Sequence, residues 1–176
     1  LLGTWRRPDG TPLVEQFRVS GLSGDDRIEF VEGANAIDVS SLVARSDDFV
    51  AVIDGGPGDD LIRGTGARDR VDGGSGNDRY VFELGNGLDV IDNQGATADN
   101  DQIVLGAGIL AENVMVRRSG NDLIIVVNEG VDEIIVRNHF GNASGAIDSI
   151  VFTDPSNTIS QWDALQLSEL VLQASE

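Results

Sequence analysis

The chain has 176 residues, and its 30 acidic and 12 basic side chains give a formal net charge of −18. This charge, with no lysine and dispersed arginines, argues against a nucleic-acid partner, which is bound through clustered basic side chains. The absence of cysteine excludes a disulfide framework and zinc–thiolate sites. No apolar run approaches the roughly 18 residues of a membrane-spanning helix.

The first 54 residues carry weak signals. Residues 1–20 begin LLGTWRRPDGTP without Met or a signal-peptide pattern, so we expect a linker and an entering strand within a piece of a longer protein. Residues 21–54 open with GLSGDDRIE, which places Asp26 at its sixth position and Ile28 at its eighth. This segment is interpreted either as an isolated loop or as the start of a repeat array interrupted by an insertion.

Three consecutive nonapeptides start at Gly55 and read GGPGDDLIR, GTGARDRVD and GGSGNDRYV. The outer two fit Gly-Gly-x-Gly-x-Asp-x-hydrophobic-x at every defining position. Glycines permit the positive φ angles that turn successive carbonyl oxygens inward, and the aspartate adds a charged oxygen. Such hard oxygens suit Ca²⁺, which takes about six to eight of them. The eighth residues, Ile62, Val71 and Tyr80, are predicted to enter a core.

Each nonapeptide supplies one turn and one short strand, so two of them complete a coil, and loops 18 residues apart stack on one side. The loops that begin at Gly55 and Gly73 have this separation. The spacing predicts a first calcium site between them. Its predicted ligands and loop positions are Asp60, Asp78, Gly55, Pro57, Gly58, Gly73, Gly74 and Gly76.

A second calcium site is predicted from weaker repeats. The middle nonapeptide has Thr65 and Ala67 in place of glycines, and its partner LGNGLDVID starts at Leu84, two residues beyond the regular spacing. The prediction therefore requires a small bulge near Glu83. The residues assigned to this site are Gly64, Gly66, Asp69, Gly85, Gly87 and Asp89.

The acidic segment DNQGATADND, residues 92–101, is interpreted as a solvated connection. The alternative is a further ion site that uses Asp92, Asp99 and Asp101.

Residues 101–176 are predicted to form antiparallel strands with a terminal helix, because hairpin-like turns separate their apolar runs. A single helical turn is predicted at 109–113. A helix at about 160–173, capped by Ser160, is predicted to close the open end of the array with Ile159, Trp162, Leu165 and Leu170 on one face. Binding of a partner is the alternative role for this helix. Strands are predicted at 16–19, 27–31, 49–53, 103–105, 114–117, 123–127, 133–136 and 149–152.

The nonapeptides resemble the RTX (repeats-in-toxin) calcium-binding β-roll of proteins exported by type I secretion. The later order DQIVL, AENVMVRRSGNDLIIVV, DEIIVRNHF and AIDSIVF, with Trp162, is similar to the haemolysin-type calcium-binding related domain. The two resemblances cover about residues 55–165. At 154–157 the chain reads Asp-Pro-Ser-Asn where that family usually has Asp-Gly, so the turn there is expected to differ.

The resemblance implies an all-β fold, a parallel β-roll followed by a β-rich C-terminal cap with one short helix. The expected layout is a linker at 1–20, a degenerate or interrupted roll at 21–54, a calcium-binding roll at 55–100 and the cap at 101–176. It further implies Ca²⁺ as the bound ion, secretion through type I machinery, and folding on calcium outside the cell. The lytic, adhesive or catalytic part is then expected to lie outside this chain.

Two other functions were weighed. An enzyme is disfavoured because the ordered aspartates recur at the repeat spacing and because His139 has no cysteine, lysine or Gly-x-Ser-x-Gly motif near it. The alternative is a carbohydrate- or surface-binding module, with Trp5, Trp162, Tyr80 and Phe140 as candidate aromatic platforms, or an accessory part of a polysaccharide-acting extracellular enzyme.

Overall fold

Two sheets enclose one hydrophobic core. The computed structural model describes residues 17–20, 24, 27–29, 51–66, 68–95, 99–141, 143–156 and 159–173. The seven-stranded sheet has the order β1 (Phe17–Ser20), β3 (Ala51–Pro57), β5 (Asp69–Ser75), β7 (Leu88–Ile91), β11 (Asp132–Val136), β10 (Asp122–Val127) and β9 (Met115–Ser119). The six-stranded sheet has the order β13 (Gln161–Asp163), β12 (Ser149–Phe152), β8 (Gln102–Leu105), β6 (Arg79–Phe82), β4 (Leu61–Arg63) and β2 (Arg27–Glu29).

Consecutive strands of the repeats alternate between the two sheets, so every coil contributes one strand to each. Parallel pairing of β3 with β5 sets Ile53 opposite Val71, and parallel pairing of β4 with β6 sets Ile62 opposite Tyr80. These four side chains are at most 2% exposed. The predicted all-β roll is therefore confirmed, as is the burial of the eighth residue of each nonapeptide.

The segment that starts at Gly21 belongs to the roll. β1 pairs in parallel with β3, β2 pairs in parallel with β4, and the Gly24 N–H donates a 2.8 Å hydrogen bond to the Pro57 carbonyl. Of the two interpretations of this segment, the interrupted array is the one that agrees with the structure. Residues 30–50, and Asp26 itself, lie outside the described residues.

Parallel pairing continues past Asp101, where the sequence predicted a change to antiparallel strands. β8 pairs in parallel with β6, β12 with β8, and β11 with β7. The physical reason is one buried row of large side chains, Ile62, Tyr80, Ile103 and Ile150, which stack at matching register across four strands and are each at most 1% exposed. Antiparallel pairs occur in β9–β10–β11 and in β12–β13.

The predicted C-terminal helix begins later than expected. Residues 161–163 form β13, and the helix α1 is Ala164–Gln173. Its buried side chains are Leu167 and Val171, whereas the predicted face residues Ile159 and Leu165 are 44% and 69% exposed. The expected face was wrong because Trp162 packs into the core from the strand. No helix in the described part of the chain is long and apolar enough to cross a membrane.

The structure also corrects the predicted helix cap. The Gln166 N–H donates to Asp163 Oδ1 and the Asp163 N–H donates to Gln166 Oε1, both at 2.9 Å. This reciprocal pair is a capping box, so Asp163 rather than Ser160 begins the helix. The helix contacts both β9 and β13, the last strands of the two sheets, and so forms the predicted closing element. The predicted turn at 109–113 appears as a 3₁₀ turn at Ala111–Asn113.

We expect Asp163→Ala to lower the free energy of unfolding by about 1 kcal/mol, because it removes the side-chain acceptor of the capping box. Ser160→Ala is the matched control and should change stability by only a few tenths of a kcal/mol, roughly the usual effect of a surface substitution. Urea unfolding of the full chain in calcium, followed by circular dichroism, measures both. Equal effects of the two variants would contradict the assignment of the cap.

Candidate metal sites

A ladder of aspartates runs along one edge of the roll. Asp60, Asp78, Asp101 and Asp148 directly precede β4, β6, β8 and β12. Asp60 N–H donates to Asp78 Oδ1, Asp78 N–H to Asp101 Oδ1, and Asp101 N–H to Asp148 Oδ2, each at 2.9 Å. The first three side chains are at most 2% exposed. Successive coils are therefore joined by the buried carboxylates of Asp78 and Asp101 and by the half-buried carboxylate of Asp148.

The opposite edge carries a second, shorter ladder. Ala51 N–H donates to Asp69 Oδ1 at 3.2 Å, and Asp69 N–H donates to Asp89 Oδ1 at 2.8 Å. Asp69 is 0% exposed and Asp89 is 1% exposed. The spacing along this ladder is 18 residues and then 20 residues. The structure thus brings together the aspartates predicted for each calcium site.

Several glycine positions in the loops of the first predicted site leave no room for a side chain. A Cβ atom on Gly55 would lie 2.5 Å from the Gly73 carbonyl oxygen, and one on Gly73 would lie 2.5 Å from Tyr80 Oη. Gly74 and Gly76 have φ angles of +97° and +123°, which L side chains rarely adopt. The repeated glycines are therefore required both for the backbone turn and for the close approach of neighbouring coils.

One carboxylate oxygen in this site has no partner that the structure describes. Asp78 Oδ2 is buried without a hydrogen bond. Burial raises the pKa of Asp78 to about 7, and the charges of Asp101, Asp60 and Asp59 add to the increase, against a smaller opposing hydrogen bond from Asp60 N–H. A buried carboxylate oxygen that has no hydrogen bond and lies near other carboxylates is a suitable ligand for a hard cation. The residues of this site therefore fit calcium.

The remaining predicted backbone ligands are arranged less simply. The Pro57 carbonyl accepts its hydrogen bond from Gly24 of the preceding coil, whereas Gly58 N–H donates to the Ser75 carbonyl of the next coil at 2.8 Å. No group of three or more histidine, cysteine or acid side chains with metal-binding geometry occurs among the described residues. The ion sites of such loops would accordingly use two carboxylates, with backbone oxygens completing the shell.

In the second predicted site the loop is closed by a threonine. Thr65 N–H donates to Asp69 Oδ2, and the Thr65 hydroxyl donates to Asp69 Oδ1 at 2.8 Å. Burial is the main cause that raises the pKa of Asp69 to about 6. The two extra residues form a turn near Glu83, closed by a 3.2 Å hydrogen bond from Asn86 N–H to the Glu83 carbonyl, where a bulge was predicted.

The other loop positions of this site differ in their surroundings. A Cβ atom on Gly64 would lie 2.6 Å from Asp69 Oδ2, whereas on Gly66 the nearest atom would be the Gly85 carbonyl oxygen at 3.8 Å. Gly85 and Gly87 have φ angles of +88° and +85°. A side chain on Gly64 would thus displace the Asp69 carboxylate, whereas Gly85 and Gly87 are favoured by their backbone conformation.

Sequence reasoning did not assign a ladder position to Asp101. This residue lies in a buried polar network in which Gly73 N–H donates to Tyr80 Oη, Tyr80 Oη donates to Asn93 Oδ1, and Asn93 Nδ2 donates to Asp101 Oδ2. The interpretation of 92–101 as a solvated connection is therefore wrong for its last residue. The available signal was the pattern of an aspartate directly before an apolar strand, which DQIVL shares with DLIR and DRYV.

The candidates for catalysis or sugar binding that the structure describes have structural contacts. His139 Nδ1 accepts a 3.1 Å hydrogen bond from Ile147 N–H, and burial lowers the pKa of His139 to about 4. Tyr80 is 1% exposed and Trp162 is 6% exposed, with the Trp162 ring edge-to-face on Phe152 at 4.7 Å between centroids. Neither Tyr80 nor Trp162 offers a free aromatic face, and Trp5 lies outside the described residues.

These features define a class of protein, a parallel β-roll whose turns are built from glycine and stacked aspartates. Residues 52–91 match the family model of the RTX calcium-binding nonapeptide repeat (4 copies), and residues 122–157 match that of the haemolysin-type calcium binding protein related domain. The chain therefore carries RTX repeats, which bind calcium, followed by the related domain, as the sequence resemblance predicted. No curated protein matches the chain.

Without calcium, we expect the fold to lose stability as the pH rises from about 4 to about 7. The pKa values of Asp69 and Asp78 in the folded chain, about 6 and about 7, exceed the ordinary 3.8. Between these values the folded chain binds more protons than the unfolded chain. The stabilisation is complete below the ordinary pKa and disappears as the pH passes the raised values.

Urea midpoints in chelator at several pH values measure this dependence. Asp78→Asn should reduce the slope of this dependence, because this variant removes one of the carboxyl groups whose pKa burial raises. Asp59→Asn is the matched control, since Asp59 is an exposed neighbour in the same loop. It should keep most of the dependence, because the charge of Asp59 is the smallest of the contributions to the raised pKa of Asp78. A midpoint that rises with pH in chelator would contradict the expectation.

Proposed function

We propose that this chain is a calcium-responsive folding module of a secreted protein, and that the stacked loops hold calcium between successive coils. The observation that carries the proposal is the buried Asp78, whose Oδ2 has no hydrogen bond inside a loop with three glycine positions that leave no room for a side chain. In the first site we assign Asp60 and Asp78 as carboxylate ligands. The backbone of Gly55, Pro57, Gly58, Gly73, Gly74 and Gly76 is assigned the remaining oxygens.

In the second site we assign Asp69 and Asp89 as carboxylate ligands, with the loop positions Gly64, Gly66, Gly85 and Gly87. Thr65 already satisfies Asp69 with two hydrogen bonds. These two hydrogen bonds leave Asp69 with fewer lone pairs to offer to an ion. We infer that this site binds calcium more weakly than the first.

The proposed mechanism couples folding to binding. Fixing the backbone of one residue costs roughly 1–2 kcal/mol, and glycine-rich loops bury little apolar surface in return. The net charge of −18 adds self-repulsion. Bound calcium would compensate the negative charge of the buried carboxylates. Binding confined to the folded chain would add about 2.7 kcal/mol per site at about a hundredfold excess over the dissociation constant.

The setting we propose is extracellular, with export by type I secretion machinery. Calcium is scarce in the cytosol, so the repeats would stay unfolded and transportable there, and would fold outside. The chain contains no cysteine, so no disulfide stabilises it in that oxidising environment, and calcium takes this role. We propose that any toxic, adhesive or enzymatic activity belongs to other parts of the protein, since the half-buried His139 uses its Nδ1 to accept a hydrogen bond from Ile147 N–H.

The test of this function is a calcium titration of the chelated full chain followed by far-UV circular dichroism, with magnesium as the control. We expect a cooperative gain of β signal at about 0.1–1 mM calcium, the range of extracellular modules, and little change with magnesium. A β-rich spectrum in chelator that calcium leaves unchanged would contradict calcium-driven folding.

A variant series tests the register of the ligands. Asp60→Ala or Asp78→Ala should weaken calcium binding at the first site by about 10- to 100-fold, because each removes a charged ligand. Asp59→Ala is the matched control; Asp59 is exposed and its Oδ1 accepts from Asn77 N–H at 2.8 Å. Isothermal titration calorimetry measures the affinities. Equal effects of all three would contradict the register, and unchanged stoichiometry in Asp69→Ala and Asp89→Ala would exclude the second site.

A further inference from the structure

A small cavity lies where the last loop of the repeats meets the C-terminal strands. Its volume is about 10 Å³, which is enough for one water-sized body. It is lined on one side by the loop between β6 and β7 and on the other by residues of β10 and β11. The side chains that matter to the argument are Asp89 and Asp132, with Phe82, Leu105 and Val127 closing the cavity.

Asp132 is held rigidly at this cavity. It is 5% exposed, and its Oδ1 and Oδ2 accept hydrogen bonds from Gly87 N–H at 2.9 Å and Gly85 N–H at 3.0 Å. β11 pairs in parallel with β7 beside it, and Glu133 N–H donates to the Gly87 carbonyl at 2.9 Å. Each carboxylate oxygen has a second lone pair. Asp132 is therefore positioned as an acceptor with capacity left for a ligand.

Asp89 presents an unsatisfied oxygen in the same place. Its Oδ1 accepts the Asp69 N–H, but its Oδ2 is buried and has no hydrogen bond among the described residues. The side chains described around the cavity include no arginine. Two buried acidic groups thus line one ion-sized space that contains no positive charge from the protein, an arrangement that is costly unless a cation is bound.

We propose that the cavity between Asp89 and Asp132 binds a divalent cation of the calcium type and so joins the repeat unit to the C-terminal domain. This inference rests on the proposed calcium function and extends it to a site that neither family match contains as a whole. Asp89 lies in the match at 52–91 and Asp132 in the match at 122–157. Hard oxygen ligands and two carboxylates favour calcium over softer metals.

The site has a consequence for how calcium acts. An ion held by both segments stabilises their contact as well as the repeat loop. The C-terminal strands therefore respond to calcium although they carry no nonapeptide repeat. Trp162, buried in β13, reports on this part of the chain.

The test compares Asp132→Asn with Asp122→Asn in the full chain. Both variants remove one acidic charge from neighbouring strands, and Asp122 likewise accepts a backbone hydrogen bond, from Asn138 N–H at 2.8 Å. We expect Asp132→Asn to bind one calcium fewer per chain by equilibrium dialysis. We also expect it to lose part of the calcium-induced rise in the unfolding temperature reported by Trp162 fluorescence. Asp122→Asn should retain both.

The outcomes separate this inference from the function on which it rests. A chain that binds no calcium at all would overturn both. If the unmodified chain binds calcium and Asp132→Asn binds the same number of ions, only the proposed site between Asp89 and Asp132 is overturned. If Asp132→Asn fails to fold, crystals of the unmodified chain grown with calcium decide the matter. An anomalous peak at about 2.3–2.6 Å from Asp89 and Asp132 supports the site, and an ordinary water there overturns it.

Discussion

The hydrogen bond from a backbone N–H of one coil to the aspartate carboxylate of the next is the interaction on which the rest of the structure depends. Along one edge it joins Asp60 to Asp78, Asp78 to Asp101, and Asp101 to Asp148. Because each of these aspartates directly precedes a strand, the bond sets where the strand starts. Stacking of the carboxylates thereby fixes the register of the sheet, and the register aligns the row of buried side chains from Ile62 to Ile150.

The same interaction makes the fold dependent on its ionic surroundings. Carboxylates stacked in successive coils lie close to one another and away from water, so burial and mutual repulsion both disfavour their charged form, as the raised pKa of Asp78 and of Asp89 indicates. A purely structural fold would place neutral side chains there. A sequence that keeps aspartate at successive coils is instead suited to a bound positive ion, which would offset this cost.

Much of this arrangement could be predicted from the sequence because it is periodic. The 18-residue separation of Asp60 and Asp78 identifies stacked loops, and the eighth positions identify the core, as Ile62, Val71 and Tyr80 show. The partners of Asp101 and Gly85 could not be found in this way. Their contacts reach Asp148 and Asp132 across 47 residues each, and irregular insertions intervene. Only the fold brings those residues together.

The C-terminal helix shows a different limit of sequence reasoning. Apolar residues from Ile159 to Leu170 suggested a helical face, but β13 pairs antiparallel with β12 and sets Trp162 opposite Ile150. Long-range pairing therefore overrode a local helical pattern. The capping box was nevertheless readable, since Asp163 and Gln166 have the required spacing of three residues.

The roll ends where the edge strands of its two sheets are protected from pairing with further strands. A parallel array presents unpaired backbone groups on its last strands, which favours addition of further strands from other chains. Here the seven-stranded sheet ends in β9, where Arg117 and Arg118 are exposed, and the six-stranded sheet ends in the short β13. α1 contacts both strands. The exposed arginines of β9, the shortness of β13 and the contact of α1 with both strands all disfavour the addition of further strands at this end of the roll. The aspartate ladder continues to Asp148, which directly precedes β12. The same kind of hydrogen bond that joins the first repeats therefore also joins β8 to β12 near the end of the roll.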